Sequence, residues 1–119
     1  MVSPTNTTFP SPPKPDLTLI QKIYINYPFN FYSFVGRVAA EINGKTLEVE
    51  VVSEETKNSK EFKALNTTGK FPLLQTPEGI ISESIAIAKY LAHGHATLLG
   101  TNNVERAKID QWCLWGVTK

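Results

Sequence analysis

Glu83 and Ser84 stand side by side where the short apolar run Gly79-Ile80-Ile81-Ser82 gives way to a helical pattern through Ile85, Ile87, Ala88, Tyr90 and Leu91. The amino end of a helix presents unpaired N–H groups and partial positive charge, a setting that suits a carboxylate. The Ser84 hydroxyl and N–H could hold a ligand carboxylate while Glu83 accepts a hydrogen bond from the same ligand's ammonium. Capping of the helix is the plainer role open to this pair. Phe71-Pro72 is the second feature. Proline cannot donate a ladder hydrogen bond, so its place at the entrance of a strand needs a reason. A trans bond at a loop boundary is one reading. The other is a cis bond that turns the Phe71 backbone outward, where an extended peptide ligand could pair with it.

Other chemistry-bearing residues are sparse. Cys113 is the single cysteine, which excludes an internal disulfide and a multi-cysteine zinc site. Its place on an apolar helical stripe reads as a small buried hydrophobe. His93 and His95 do not complete a metal site, and their position favours interaction with a helix end. Asn6-Thr7-Thr8 and Asn66-Thr67-Thr68 match the glycosylation triplet, with no other sign of secretion. Lys57, Lys60, Lys63 and Lys70 read as a solvated face.

The composition sets the class of protein that must position these groups. Across 119 residues, 41% are hydrophobic and 19% charged, enough to fill a core. Twelve Lys and Arg against eleven Asp and Glu leave a net charge of +1, without the basic excess of a dedicated nucleic-acid module. No apolar run approaches the roughly 20 residues of a membrane helix. The expectation is a soluble domain in a reducing compartment, the cytoplasm. Five of the eight prolines fall in residues 1–16 among Ser, Thr and Asn, so this stretch is expected to be a disordered, partly polyproline-II arm.

From Leu17 the pattern changes. Ile23, Ile25 and Tyr27 alternate as in a strand that Pro28 stops. Asn30 is a plausible N-cap for a helix whose stripe is Phe31, Phe34, Val35, Val38, Ala39 and Ile42, ended at Gly44. Leu47 to Val52 alternates as a second strand, parallel to the first through a right-handed crossover. A weak helical segment at Glu61 to Leu65 follows. Two short strands then flank Thr76-Pro77-Glu78-Gly79 as a tight hairpin. The closing helix begins at Glu83-Ser84. The expected order is β-α-β-α-β-β-α over residues 17–95, an α/β fold with a four-stranded mixed sheet. Residues 96–119 are expected to be a linker and one further helix from Asn103, with a capping-box start at Asn102 and Glu105. Trp112, Cys113 and Trp115 give that helix apolar surface that needs cover, from a second helical domain truncated here or from a partner.

Three stretches, YPFNFYSFVGRVAAEINGKTLEVEVV, FKALNTTGKFPLLQTPEGIISESIAIAKYLAHG and LLGTNNVERAKIDQWCLWG, resemble the thioredoxin-like N-terminal domain of the glutathione transferase superfamily. Within it, the resemblance is greatest to the gamma subunits of the eukaryotic elongation factor 1B complex. It covers residues 17 to 119. It implies a cis Pro72, with Phe71 bonding the cysteinyl part of glutathione, Glu83 and Ser84 holding the γ-glutamyl end, and Lys70 nearby. Active transferases place a catalytic Tyr, Ser or Cys after the first strand. Here that loop is Asn26-Tyr27-Pro28-Phe29-Asn30, with Pro28 near the place of the serine or cysteine. Tyr27 is its candidate catalytic residue, the alternative being an inward-facing strand aromatic.

The resemblance implies a non-catalytic scaffold subunit anchoring the guanine-nucleotide exchange subunit, with the elongation GTPase as a further partner and a homodimer left open. The alternatives are a glutathione transferase acting on electrophiles, and an assembly domain of another large complex. No dedicated cofactor or metal is expected; glutathione is the small molecule implied, as ligand or substrate.

Overall fold

The computed structural model describes residues 21–118; the proline-rich stretch at 1–16 lies outside them. In chain order the elements are β1 (Gln21–Ile25), α1 (Phe31–Ile42), β2 (Leu47–Val51), α2 (Glu54–Lys57), α3 (Lys60–Leu65), β3 (Leu73–Thr76), β4 (Gly79–Ser82), α4 (Ser84–Leu91), α5 (Ala96–Leu99) and α6 (Asn103–Thr118). The strands form one mixed sheet in the order β2-β1-β3-β4. β1 and β2 are parallel, joined by α1, and β3 is antiparallel to both β1 and β4. The expected order is present, with the one-turn helices α2 and α5 added. Each of these has its own cap: Ser53 Oγ accepts from the Thr56 N–H, and His95 Nδ1 from the Leu98 N–H. Four residues are too few for a helical period to show in sequence. The β3–β4 hairpin closes on Thr76, whose hydroxyl accepts from the Glu78 and Gly79 N–H groups and donates to the Gly79 carbonyl.

Two cores lie on opposite faces of the sheet, because alternate strand residues point to opposite sides. Ile23, Ile25 and Leu74 pack against Ala39 and Ala40 of α1 and Ile87, Ala88 and Leu91 of α4. On the other face Leu73 meets Val52 and Phe62, with Tyr24, Leu65 and Phe71 around them. The Phe62 and Phe71 rings stack at 5.9 Å, and Tyr24 meets Phe62 edge-on at 5.3 Å. These contacts anchor the Phe71 side chain beneath α3.

α1 departs from the expected orientation. Its buried residues are Ser33, Gly36, Ala39 and Ala40, whereas Phe31 is 76% exposed and Val35, Val38 and Ile42 are also exposed. The reason is close approach to α4: a Cβ added at Gly36 would lie 3.0 Å from Ile87 Cγ2. Small residues therefore face α4, and most of the large apolar stripe turns outward. The N-cap holds as read, with Asn30 Oδ1 accepting from the Ser33 N–H at 3.1 Å. β1 ends two residues before Tyr27, so Tyr27 is an exposed loop residue and not an inward-facing strand aromatic. Cys113 is half-buried.

α6 begins as its sequence suggests: the Glu105 N–H donates to Asn102 Oδ1 at 2.9 Å. None of its residues is buried, and Val104, Trp112, Leu114, Trp115 and Val117 are exposed. Trp112 and Trp115 meet edge-on at 5.9 Å. Asn66 is buried, with its amide donating to the Lys70 carbonyl and its oxygen accepting from Thr68. Those bonds assign the Asn66-Thr67-Thr68 triplet to a turn rather than to a glycan.

Candidate functional site

The antiparallel pairing of β3 with both β1 and β4 brings the ends of β1 and β4 and the start of β3 to one edge of the sheet. α1 and α4 also begin there. A cleft of about 820 Å³ opens along this edge, within the usual range for small-molecule sites. Lys70, Phe71, Pro72, Glu83 and Ser84 line it together. Tyr32 lies on the α1 side, and Asp110, Leu114 and Val117 of α6 complete the lining.

Local structure fixes each of these groups. The Phe71-Pro72 peptide bond is cis. Phe71 precedes β3, so its backbone stands outside the sheet ladder while its ring is held by Phe62. Lys70 is positioned by the Asn66 turn: its carbonyl accepts from Asn66 Nδ2, and its N–H donates to Thr68 Oγ1. Glu83 has φ 79° and ψ 125°, the one positive φ outside glycine among the described residues. Such a backbone costs on the order of 1–3 kcal/mol and persists where surrounding structure enforces it. The Glu83 side chain makes no capping bond to α4, so helix capping does not account for it.

The first backbone bond closing α4 runs from the Ile87 N–H to the Glu83 carbonyl. The N–H groups of Ser84, Ile85 and Ala86 thus precede the helical ladder at the cleft, as at any helix start. Lys89 and Asp110 pair with each other across α4 and α6. Lys70, Glu83 and Ser84 line the cleft together, and among the described residues Lys70 and Glu83 form no ion pair, so the lining holds one positive and one negative group outside any pair. This arrangement matches a ligand carrying both a carboxylate and an ammonium. At the far end of α4, the Tyr90 hydroxyl donates to Glu78 at 2.8 Å and ties the helix to the hairpin. Burial, then that bond, raises the Tyr90 phenol above its ordinary value.

Tyr27 does not line the cleft; its carbonyl accepts from the Asn30 N–H at 3.2 Å. The sequence reading missed Tyr32, whose position two residues after the Asn30 cap was the available signal: the first turn of α1 faces the sheet edge. His95 serves as the cap of α5, and no cluster able to hold a metal occurs among the described residues. No helix there is long and apolar enough to cross a membrane.

The chain is similar to elongation factor 1-gamma of Artemia salina, 38% identical over 82% of this chain and 23% of that protein. Elongation factor 1-gamma 3 of Oryza sativa subsp. japonica is 35% identical over 76% of this chain and 23% of its own length. Probable elongation factor 1-gamma 2 of Arabidopsis thaliana is 42% identical over 63% and 19%. The chain thus spans less than a quarter of the length of these relatives. Among solved structures, a Nilaparvata lugens delta-class glutathione transferase superposes with a TM-score of 0.74 at 23% identity, over 82% of this chain and 48% of that one. A theta-class glutathione S-transferase from Xanthomonas axonopodis pv. citri with glutathione bound gives 0.70 at 27%, over 83% and 49%. The family model for the glutathione S-transferase N-terminal domain matches residues 21–93, the span holding the sheet, its flanking helices and the cis proline, and the chain belongs to that family.

Proposed function

We propose that this chain is the glutathione-transferase-like part of an elongation factor 1-gamma subunit, acting in the cytoplasm as a scaffold of the elongation factor 1B complex. In this reading it anchors the guanine-nucleotide exchange subunit and meets the elongation GTPase. The observation that carries the proposal is the shared name of its curated relatives, at 35–42% identity in the three compared above. The exposed tryptophans of α6 support a role in assembly, since apolar surface of that kind favours contact with other protein. The test is affinity capture of the tagged full-length protein from its native extract, with partners identified by mass spectrometry. Stoichiometric recovery of the exchange subunit and the GTPase is the expected result. A protein that comes down alone, or only with a second copy, rejects the scaffold.

A second reading concerns the cleft and is compatible with the first: it takes glutathione. Glu83 and Ser84 would hold the γ-glutamyl ammonium and carboxylate, with Lys70 nearby, and the Phe71 backbone beside Pro72 would bond the cysteinyl unit. The opposite charges of Lys70 and Glu83 in the cleft lining support this, as does the similarity to a theta-class transferase with glutathione bound. Calorimetric titration with glutathione tests it, and Glu83→Gln should weaken binding. Catalysis through Tyr27 has less support, because that residue lies outside the cleft lining. Loss of a measurable conjugation activity in Tyr27→Phe would favour the enzyme.

A further inference from the structure

We infer that the outer edge of β2 is a docking site for an extended segment of a partner protein, one in which basic and apolar residues alternate, added to the sheet as a fifth strand. Among the described residues no strand lies beyond β2, which ends the order β2-β1-β3-β4. The Val52 N–H donates to the Ile25 carbonyl, and this fixes the parity of the parallel ladder. Glu48 and Glu50 turn their backbone groups toward β1, so those of Leu47, Val49 and Val51 point away from the sheet. Such a row is a template for a further strand. The opposite edge is poorer: β4 has four residues, opens at Gly79 with φ 151° and runs into Glu83 with φ 79°. β2 has five, without glycine or proline.

The side chains of β2 define what the partner carries. Val49 and Val51 stand opposite Ile23 and Ile25, on the side of the sheet that holds α1 and α4, yet they are 37% and 47% exposed. Glu48 and Glu50 stand on the other side, where both carboxylates share one ammonium: Lys22 Nζ lies 3.0 Å from Glu50 and 3.7 Å from Glu48. One negative charge is left in excess. A second copy does not fit. Antiparallel pairing of β2 with another β2 through Val49 and Val49 sets Glu48 opposite Glu50, and pairing through Val49 and Val51 sets Glu50 opposite Glu50. Like charges directly opposite are destabilising. Lys or Arg on the incoming strand instead meets both acids, with apolar residues beside Val49 and Val51. This docking needs neither the cleft nor the elongation-factor partners.

The test is amide-resolved NMR titration of the full chain with a capped peptide alternating valine and lysine. Its valine–glutamate counterpart and two forms of the lysine peptide, methylated on the valine or on the lysine amides, serve as comparisons. Exchange at the Leu47, Val49 and Val51 amides should slow, with the Glu48 and Glu50 amides unchanged. The glutamate peptide should not bind, and one of the two methylated forms should lose binding. Glu48→Gln combined with Glu50→Gln should weaken the lysine peptide roughly two- to thirtyfold, the range of two cross-strand pairs. No slowing at these amides, equal binding of the glutamate peptide, or binding indifferent to both methylations overturns the docking. Protection of the same three amides without peptide, growing with protein concentration, assigns the edge to a second copy instead.

Discussion

α4 and α6 are helices of one chain with opposite fates. α4 has eight residues and buries Ile87, Ala88 and Leu91 against α1 and the sheet. α6 is twice as long, carries two tryptophans, and buries none of its residues. What separates them is the presence of a surface to pack upon. A helix gains most of its stability from an apolar face placed against a partner, and little from propensity. α6 is joined to the rest through side contacts such as Lys89–Asp110 and through its own cap, whereas α4 is built into the core.

This contrast can be broken from the α4 side first. Ile87 is 1% exposed, and Ile87→Ala should destabilise the fold by about 2–5 kcal/mol, read as a shift of the urea unfolding midpoint. A loss under 1 kcal/mol would mean that α4 is no better packed than α6. A smaller and local effect is expected from Asn102→Ala, which removes the cap of α6. About 1 kcal/mol of helix stability should be lost, seen as faster amide exchange in α6 with the strands unaffected. Acid should act on the same turn. Bonds donated by the Thr101 hydroxyl and N–H hold the Glu105 carboxyl below its ordinary value of 4.5. A depressed carboxyl stabilises the folded form above the unfolded value, and that contribution is lost as pH falls through the folded one. The smallest effect belongs to Trp112→Ala, which should change unfolding stability by less than about 0.5 kcal/mol despite the size of the deletion. A larger loss in the isolated chain would show that α6 is covered after all.

The element order was legible because strand alternation, the Asn30 cap and the Thr76 hairpin are local signals. Glu83, Ser84, Phe71 and Pro72 stand out in the sequence for the same reason, each at a junction that sequence marks, and they line one cleft. The face of α1 was not legible. Phe31, Phe34, Val35 and Val38 form the apolar stripe in sequence, yet Ser33, Gly36 and Ala40 face inward, since the distance to α4 sets the choice. Hydropathy records which side chains avoid water and says nothing of how near the neighbouring backbone comes. Tyr32 was missed through the same gap, because its place in the cleft depends on how α1 lies over the sheet edge. His95 was read for its charge, while its ring nitrogen serves as a cap.

The contact between Gly36 and Ile87 bears on the cleft at a distance. α1 carries Tyr32 at its first turn and α4 carries Ser84 at its own, and the two helices touch about a turn beyond those positions. That touch works as the pivot of a pair of tongs, with the cleft between the tips. Bulk added at the pivot would spread the tips, so the width of the cleft is gauged by a residue that has no side chain.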